Sequence, residues 1–183
     1  MVQLSAKDQM LFWALKGFGV LQHVEGELLD QHEGAFLVAC SDGDQMPDIF
    51  AFHSGLIRKQ RGIERPHLFA DHGLGLVLAS DSPLNRNQRG NNLLESIGKV
   101  PEIKGITTGI LCIHAPCAAA ALAGLNLVQQ IALAKAGKAR VLEHFPNLTI
   151  ACFLHIDNGE KRSYFIKGAN WREWVAQHPH LLA

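Results

Sequence analysis

Three short runs constrain this chain more than anything else in it: "GAFLVAC" (34–40), "ITTGILCIH" (106–114) and "NLTIACFLHID" (147–157). Each is apolar almost without interruption instead of alternating apolar with polar residues. That is how a strand covered on both faces reads. The 106–114 run is also rich in β-branched residues, which pack well on a pleated surface. Such strands need helices over both faces, and helical segments lie between them. Leu11, Ala14, Leu15, Phe18 and Leu21 share one helical face within 7–29, where Gly17 and Gly19 predict a break into two short helices. A long alanine-rich segment from Cys117 to about Lys138 reads as a helix. Its narrow polar stripe of Asn126, Gln129 and Gln130 implies that the rest is buried. Residues 139–145 add a helical turn or two, and "NWREWVAQ" forms a last helix that stops at Pro179.

Two further apolar runs, "DIFAFH" (48–53) and "GLGLVLAS" (73–80), read as short strands, and "NGE" as a tight hairpin turn leading into a strand at "KRSYFIK". "SDGDQMP", "SGLIRKQRGIERP" and "SDSPLNRNQRGNN" read as loops. The alternation predicts an α/β fold, a largely parallel central sheet flanked by helices. No repeat or linker divides the chain. The expectation is one domain over 1–183, with a helical arm at 1–33, a core at 34–167 and a C-terminal helix at 168–183.

Charge excludes some classes of function. Lys+Arg and Asp+Glu number 17 each, so nothing points to nucleic acid or an anionic membrane. The opening residues lack a basic region and a cleavage site, and no window has the length of a membrane span. Four dispersed cysteines do not form a secreted disulfide framework, so the expected location is cytoplasmic. Gly73 and Gly75 lack the third glycine of a dinucleotide fingerprint, and Ser54 and Ser80 lack a nucleophile-elbow context. The histidines of "HLFADH" and the cations Arg58, Arg61 and Arg65 read as surface groups.

Metal chemistry stands at two strand ends, where ligands gather in α/β sheets. Cys40 and Asp42 follow the first strand; His114 and Cys117 follow the later one. Two thiolates and an imidazole suit zinc, and they leave one tetrahedral position for a carboxylate or a water. Cys117 stands at a helix start, where the dipole favours a thiolate. Cys112 and Cys152 lie inside strands and read as core.

"CSD" (40–42) with the later "CIHAPC" (112–117) resembles the beta-class carbonic anhydrases. The alanine-rich helix and "LEHFPNLTIACFLHIDNGE" extend the resemblance over roughly 34–167. It implies a beta-carbonic-anhydrase-like fold, Zn2+ held by Cys40, His114 and Cys117, and Asp42 as the carboxylate beside the metal. It also implies a homodimer or higher homo-oligomer. The implied activity is carbonate dehydratase, a zinc lyase that hydrates carbon dioxide reversibly to bicarbonate through zinc-bound hydroxide. The departures bear on that activity. Asp44 stands where the family has an Arg that holds the Asp off the metal, and the family's Arg-Asn-Ala-Gly stretch is absent. Cys40 and His114 are also 74 positions apart, longer than the family spacing. With Asp44 beside it, nothing local restrains Asp42, which then becomes a candidate fourth ligand. Two readings follow. In one the chain is a zinc hydratase; in the other it is a zinc protein of the same fold that keeps the metal for structure or for a small ligand.

Overall fold

The computed structural model describes residues 3–24, 34–61 and 66–182, with backbone only over 58–61. Its centre is a six-stranded sheet. The strands are β1 (Leu21–Gln22), β2 (Ala35–Ala39), β3 (Pro66–Ala70), β4 (Thr108–Ala115), β5 (Thr149–Asp157) and β6 (Lys161–Ile166), in the order β1-β6-β5-β4-β2-β3. The four strands β3, β2, β4 and β5 run parallel. β6 returns antiparallel beside β5 through the 158–160 hairpin, and β1 pairs antiparallel with β6. The three apolar runs of the sequence are the three inner parallel strands. All five residues of β2 and all eight of β4 are buried, so their unbroken apolar character reflects cover on both sides.

Alternate residues of each strand serve two cores. Phe36, Val38, Leu111, Ile113, Cys152 and Leu154 face a large cluster. It is closed by the helices α1 (Ala6–Gly17), α3 (Leu74–Val77), α4 (Arg89–Lys104), α6 (Leu127–His144) and α7 (Gly168–Gln177). Leu37, Ile110, Cys112, Ala151 and Phe153 face a smaller cluster beneath α2 (Met46–Arg61), which contributes Ile49, Leu56 and Ile57. Cys112 and Cys152 are buried, as their strand positions imply, and burial pushes both thiols up.

Several sequence readings are corrected. "DIFAFH" is not a strand but the first half of α2, and part of "SGLIRKQRG" continues that helix. "GLGLVLAS" holds the one-turn helix α3, buried at every position. A short apolar run has the same appearance in a buried strand and a buried helix, so periodicity could not separate them. "HLFADH" contains β3, and the polar stretch at 80–92 leads into α4. α4 packs Leu93, Leu94, Ile97 and Val100 on its inner face. The helix predicted from Cys117 is two: α5 (Ala118–Leu122), then a break at Gly124 (φ 71°), then α6, which runs through 139–144. Asn126 and Gln129 are not an exposed stripe; they form the capping box of α6. The second N-terminal helix is replaced by β1, and residues 25–29 of that reading lie outside the described residues, as do the side chains of Arg58, Arg61 and Arg65. No described helix is long and apolar enough to cross a membrane.

Candidate metal centre

β2 stops at Ala39, so Cys40 leaves the sheet at its carboxyl edge, one strand over from the end of β4. His114 is the penultimate residue of β4, and Cys117 caps the start of α5 with extended backbone (φ −123°, ψ 120°). Cys40 Sγ, Cys117 Sγ and a ring nitrogen of His114 all lie within 4.8 Å of one another. The three side chains are buried, His114 to 1% exposure. Neither nitrogen of that ring has a hydrogen-bond partner by geometry among the described residues. An imidazole stripped of water and left unpaired is costly, and buried polar groups are ordinarily satisfied. Two thiols and an orphaned imidazole converging on one point fit a thiophilic ion. With zinc bonds of about 2.0–2.3 Å, tetrahedral ligand atoms stand about 3.3–3.8 Å apart, inside the observed spacing. Among the described residues this is the one such cluster of three; His67, Asp71 and His72 do not form another.

The electrostatics are unequal. Cys40 is pulled down to about 4, chiefly because the Cys117 thiol donates to it. The His114 ring and the Gly73 N–H (3.2 Å from Cys40 Sγ) act in the same direction, against burial. Cys117 is pushed up, because it keeps its proton beside that thiolate and is itself desolvated. The sequence pointed to Cys117 as the activated thiol. α5 is too short to override a neighbouring charge, although the N–H groups of Ala119 and Ala120 do favour the Cys117 anion.

Asp42 lies outside the group of three. Its Oδ1 accepts the backbone N–H of Asp44 at 2.9 Å, and its carbonyl accepts from Gln45 and Met46. The carboxylate is therefore tied down locally after all, by the main chain of the residue that replaces the family's Arg. This is an Asx turn, in which an Asp side chain accepts the main-chain N–H two residues on; it needs no particular side chain at position 44.

Three further contributors were invisible in the sequence. Gly73 supplies an N–H to Cys40, with φ 63°. Arg89 clamps the turn before it, donating to Asp71 Oδ2 at 2.7 Å and to the His72 carbonyl at 2.8 Å. Gln45 is buried and reaches Asp157 at the end of β5 (Nε2 to Oδ2, 3.4 Å), spanning the end of β4 that lies between them. Gly73 and Arg89 come from segments far from the ligands in sequence, and Gln45, close to Cys40 in the chain, finds its partner 112 positions away.

With this geometry in view, the chain can be compared with solved structures. The chain is similar to beta-carbonic anhydrases. CafD of Aspergillus fumigatus matches at 13% identity over 80% of this chain and 99% of that one, with a TM-score of 0.44. Isoform I from Trichomonas vaginalis matches at 14% identity over 91% and 100%, with a TM-score of 0.42. A carbonic anhydrase from Streptococcus mutans matches at 12% identity over 91% and 100%, also at 0.42. No family model matches the chain, and no curated protein matches it.

Proposed function

We propose that this chain is a zinc protein of carbonic-anhydrase type that hydrates carbon dioxide reversibly, with Cys40, His114 and Cys117 as the metal ligands. The observation that carries the reading is the buried cluster itself, two sulfurs and an orphaned imidazole within 4.8 Å. The reaction class is supported by the resemblance of "CSD" and "HAPC" to the beta-class ligand motifs. Zinc bound there would supply Lewis acidity, lowering the pKa of a water in the fourth position towards neutrality. The chain's own residues do the rest. Gly73 N–H and the packed core hold Cys40 in place, and burial keeps bulk water from the thiolates. Asp42, tethered through Oδ1, offers a carboxylate as hydrogen-bond acceptor. That tether favours an open fourth position over one filled by Asp42. A second reading, a closed site that keeps zinc for structure, is favoured by the loss of the family's Arg at Asp44. Four free thiols suit a reducing, cytoplasmic setting.

Metal analysis followed by stopped-flow hydration tests both readings. One zinc per chain is expected in the wild type. It should be lost in His114→Ala and in Cys117→Ala, with a fall in stability, because metal binding adds to folding free energy. Full zinc in both variants would overturn the ligand set. Zinc-loaded wild type that hydrates carbon dioxide at pH 7 supports the hydratase; full zinc without hydration leaves the structural reading.

A further inference from the structure

A cleft of about 320 Å3 opens beside the metal ligands. Its walls include Ser5 and Asp8 from the N-terminal segment, Pro116 and Cys117 from the turn after β4, and Leu125 and Gln130 at the start of α6. The polar groups of this cleft are not equal. Asp8 is spent: Oδ1 accepts the Leu127 N–H at 2.8 Å and Oδ2 accepts the Ser5 hydroxyl at 2.9 Å. Gln130 is different. It is 4% exposed, its Nε2 donates to the Leu125 carbonyl at 3.3 Å, and its Oε1 has no partner among the described residues. The orientation of the amide is not arbitrary, because only the nitrogen end can pair with a carbonyl. Among the buried side-chain nitrogen and oxygen atoms that line the cleft, Gln130 Oε1 is the one without a hydrogen bond among the described residues. A buried acceptor left open is costly, and a ligand carrying a donor would relieve that cost.

We propose that Gln130 Oε1 is the recognition group of this cleft, and that it selects small ligands bearing an O–H or N–H donor as they bind beside Cys117. The inference rests on the metal-centre reading above and extends it to ligand choice. Hydrogencarbonate belongs to the selected class, since its hydroxyl donates to Oε1. Nitrate has the same planar shape and charge but carries no donor. Gln130 is thus a positioning residue: it turns the ligand's protonated oxygen towards α6 and away from the metal ligands.

Titration calorimetry of the zinc-loaded protein with hydrogencarbonate and with nitrate tests this directly. The wild type should prefer hydrogencarbonate. Gln130→Met keeps the length of the side chain and removes its acceptor, so hydrogencarbonate binding should weaken about 5- to 10-fold, the worth of one hydrogen bond, while nitrate binding holds steady. Equal changes for both anions, or none, would overturn the proposal. Should the variant fail to fold, the side-chain amide NMR signals of Gln130 in the wild type give an independent readout. Hydrogencarbonate should move them and nitrate should not. Signals unmoved by hydrogencarbonate would mean that Oε1 serves only an ordered water, and the proposal falls. None of these readouts requires turnover, so a protein that binds zinc and selects hydrogencarbonate but hydrates nothing would sink the hydratase reading and leave this one standing.

Discussion

His53 carries a cost that the rest of the molecule absorbs. It is fully buried between Phe52 and Phe153, edge-on to the latter at 4.9 Å, and its Nδ1 donates to the Ile49 carbonyl at 2.8 Å. Desolvation pulls it down to about 4, and the neighbouring His155 adds to the effect. A base whose folded pKa is depressed binds fewer protons folded than unfolded between the two values. Stability is therefore intact above about 6.5 and falls as pH drops towards 4. Over that window His53 costs roughly 3 kcal/mol. His53→Asn keeps a donor for Ile49 and cannot titrate. Denaturant melts at pH 6.5 and 4.5 should show a difference smaller by roughly 2–3 kcal/mol than in the wild type; an unchanged difference would place the acid sensitivity elsewhere. Residue identity was legible at this scale, and so were the candidate ligand types at 40, 114 and 117. Partners were read wrongly: attention to the missing Arg overlooked that Asp42 can accept the main-chain N–H of Asp44 in an Asx turn.

At the scale of elements, α3 shows how a glycine decides packing. A Cβ on Gly75 would stand 2.6 Å from the Cys112 carbonyl oxygen and 3.1 Å from Ile113 Cγ2. The bare glycine lets α3 lie flat on β4, directly beneath the strand that carries His114. Gly75→Ala would wedge the two apart, and since backbone cannot yield as a flexible side chain does, a loss of about 2–4 kcal/mol is expected. Chemical denaturation measures it, and a variant within 0.5 kcal/mol of wild type, the usual range for a neutral surface change, would contradict the contact. The sequence shows Gly73 and Gly75 framing an apolar run but not what approaches them. The strands at 34–40, 106–114 and 147–157 were readable because each is long or flanked by clear turns. The runs at 48–53 and 73–80 were not, because six to eight apolar residues fit either element.

The whole molecule leaves apolar surface uncovered. α6, whose narrow polar stripe implied that the rest is buried, is covered by its own chain, lying against β4, β5, α1 and α3. Among the described residues, the most exposed large hydrophobics are Met10 (67%) and Trp13 (57%) on α1, Ile103 (67%) on α4 and Leu122 (92%) on α5. A homodimer that covers the α1 pair is the expectation, with an interface of about 1,600 Å2 if it is of standard size. Sedimentation at micromolar concentration should give twice 20.1 kDa, and Trp13→Asp should shift it towards monomer. A wild-type monomer there would refute the dimer. At this scale the division of labour between sequence and structure is plain. The sequence by itself determined the fold class, the buried inner strands and the hairpin after β5, and it singled out the three candidate ligand residues, because hydrophobic continuity and turn chemistry act over a few neighbouring residues. Only the tertiary structure decided that Cys40 meets His114 and Cys117, that Gly73 reaches Cys40 and Gln45 reaches Asp157, and that Gln130 lines a cleft with an acceptor unspent. Those meetings join positions far apart in the chain, and the order of parallel strands, set by burial over the whole core, is what brings them together.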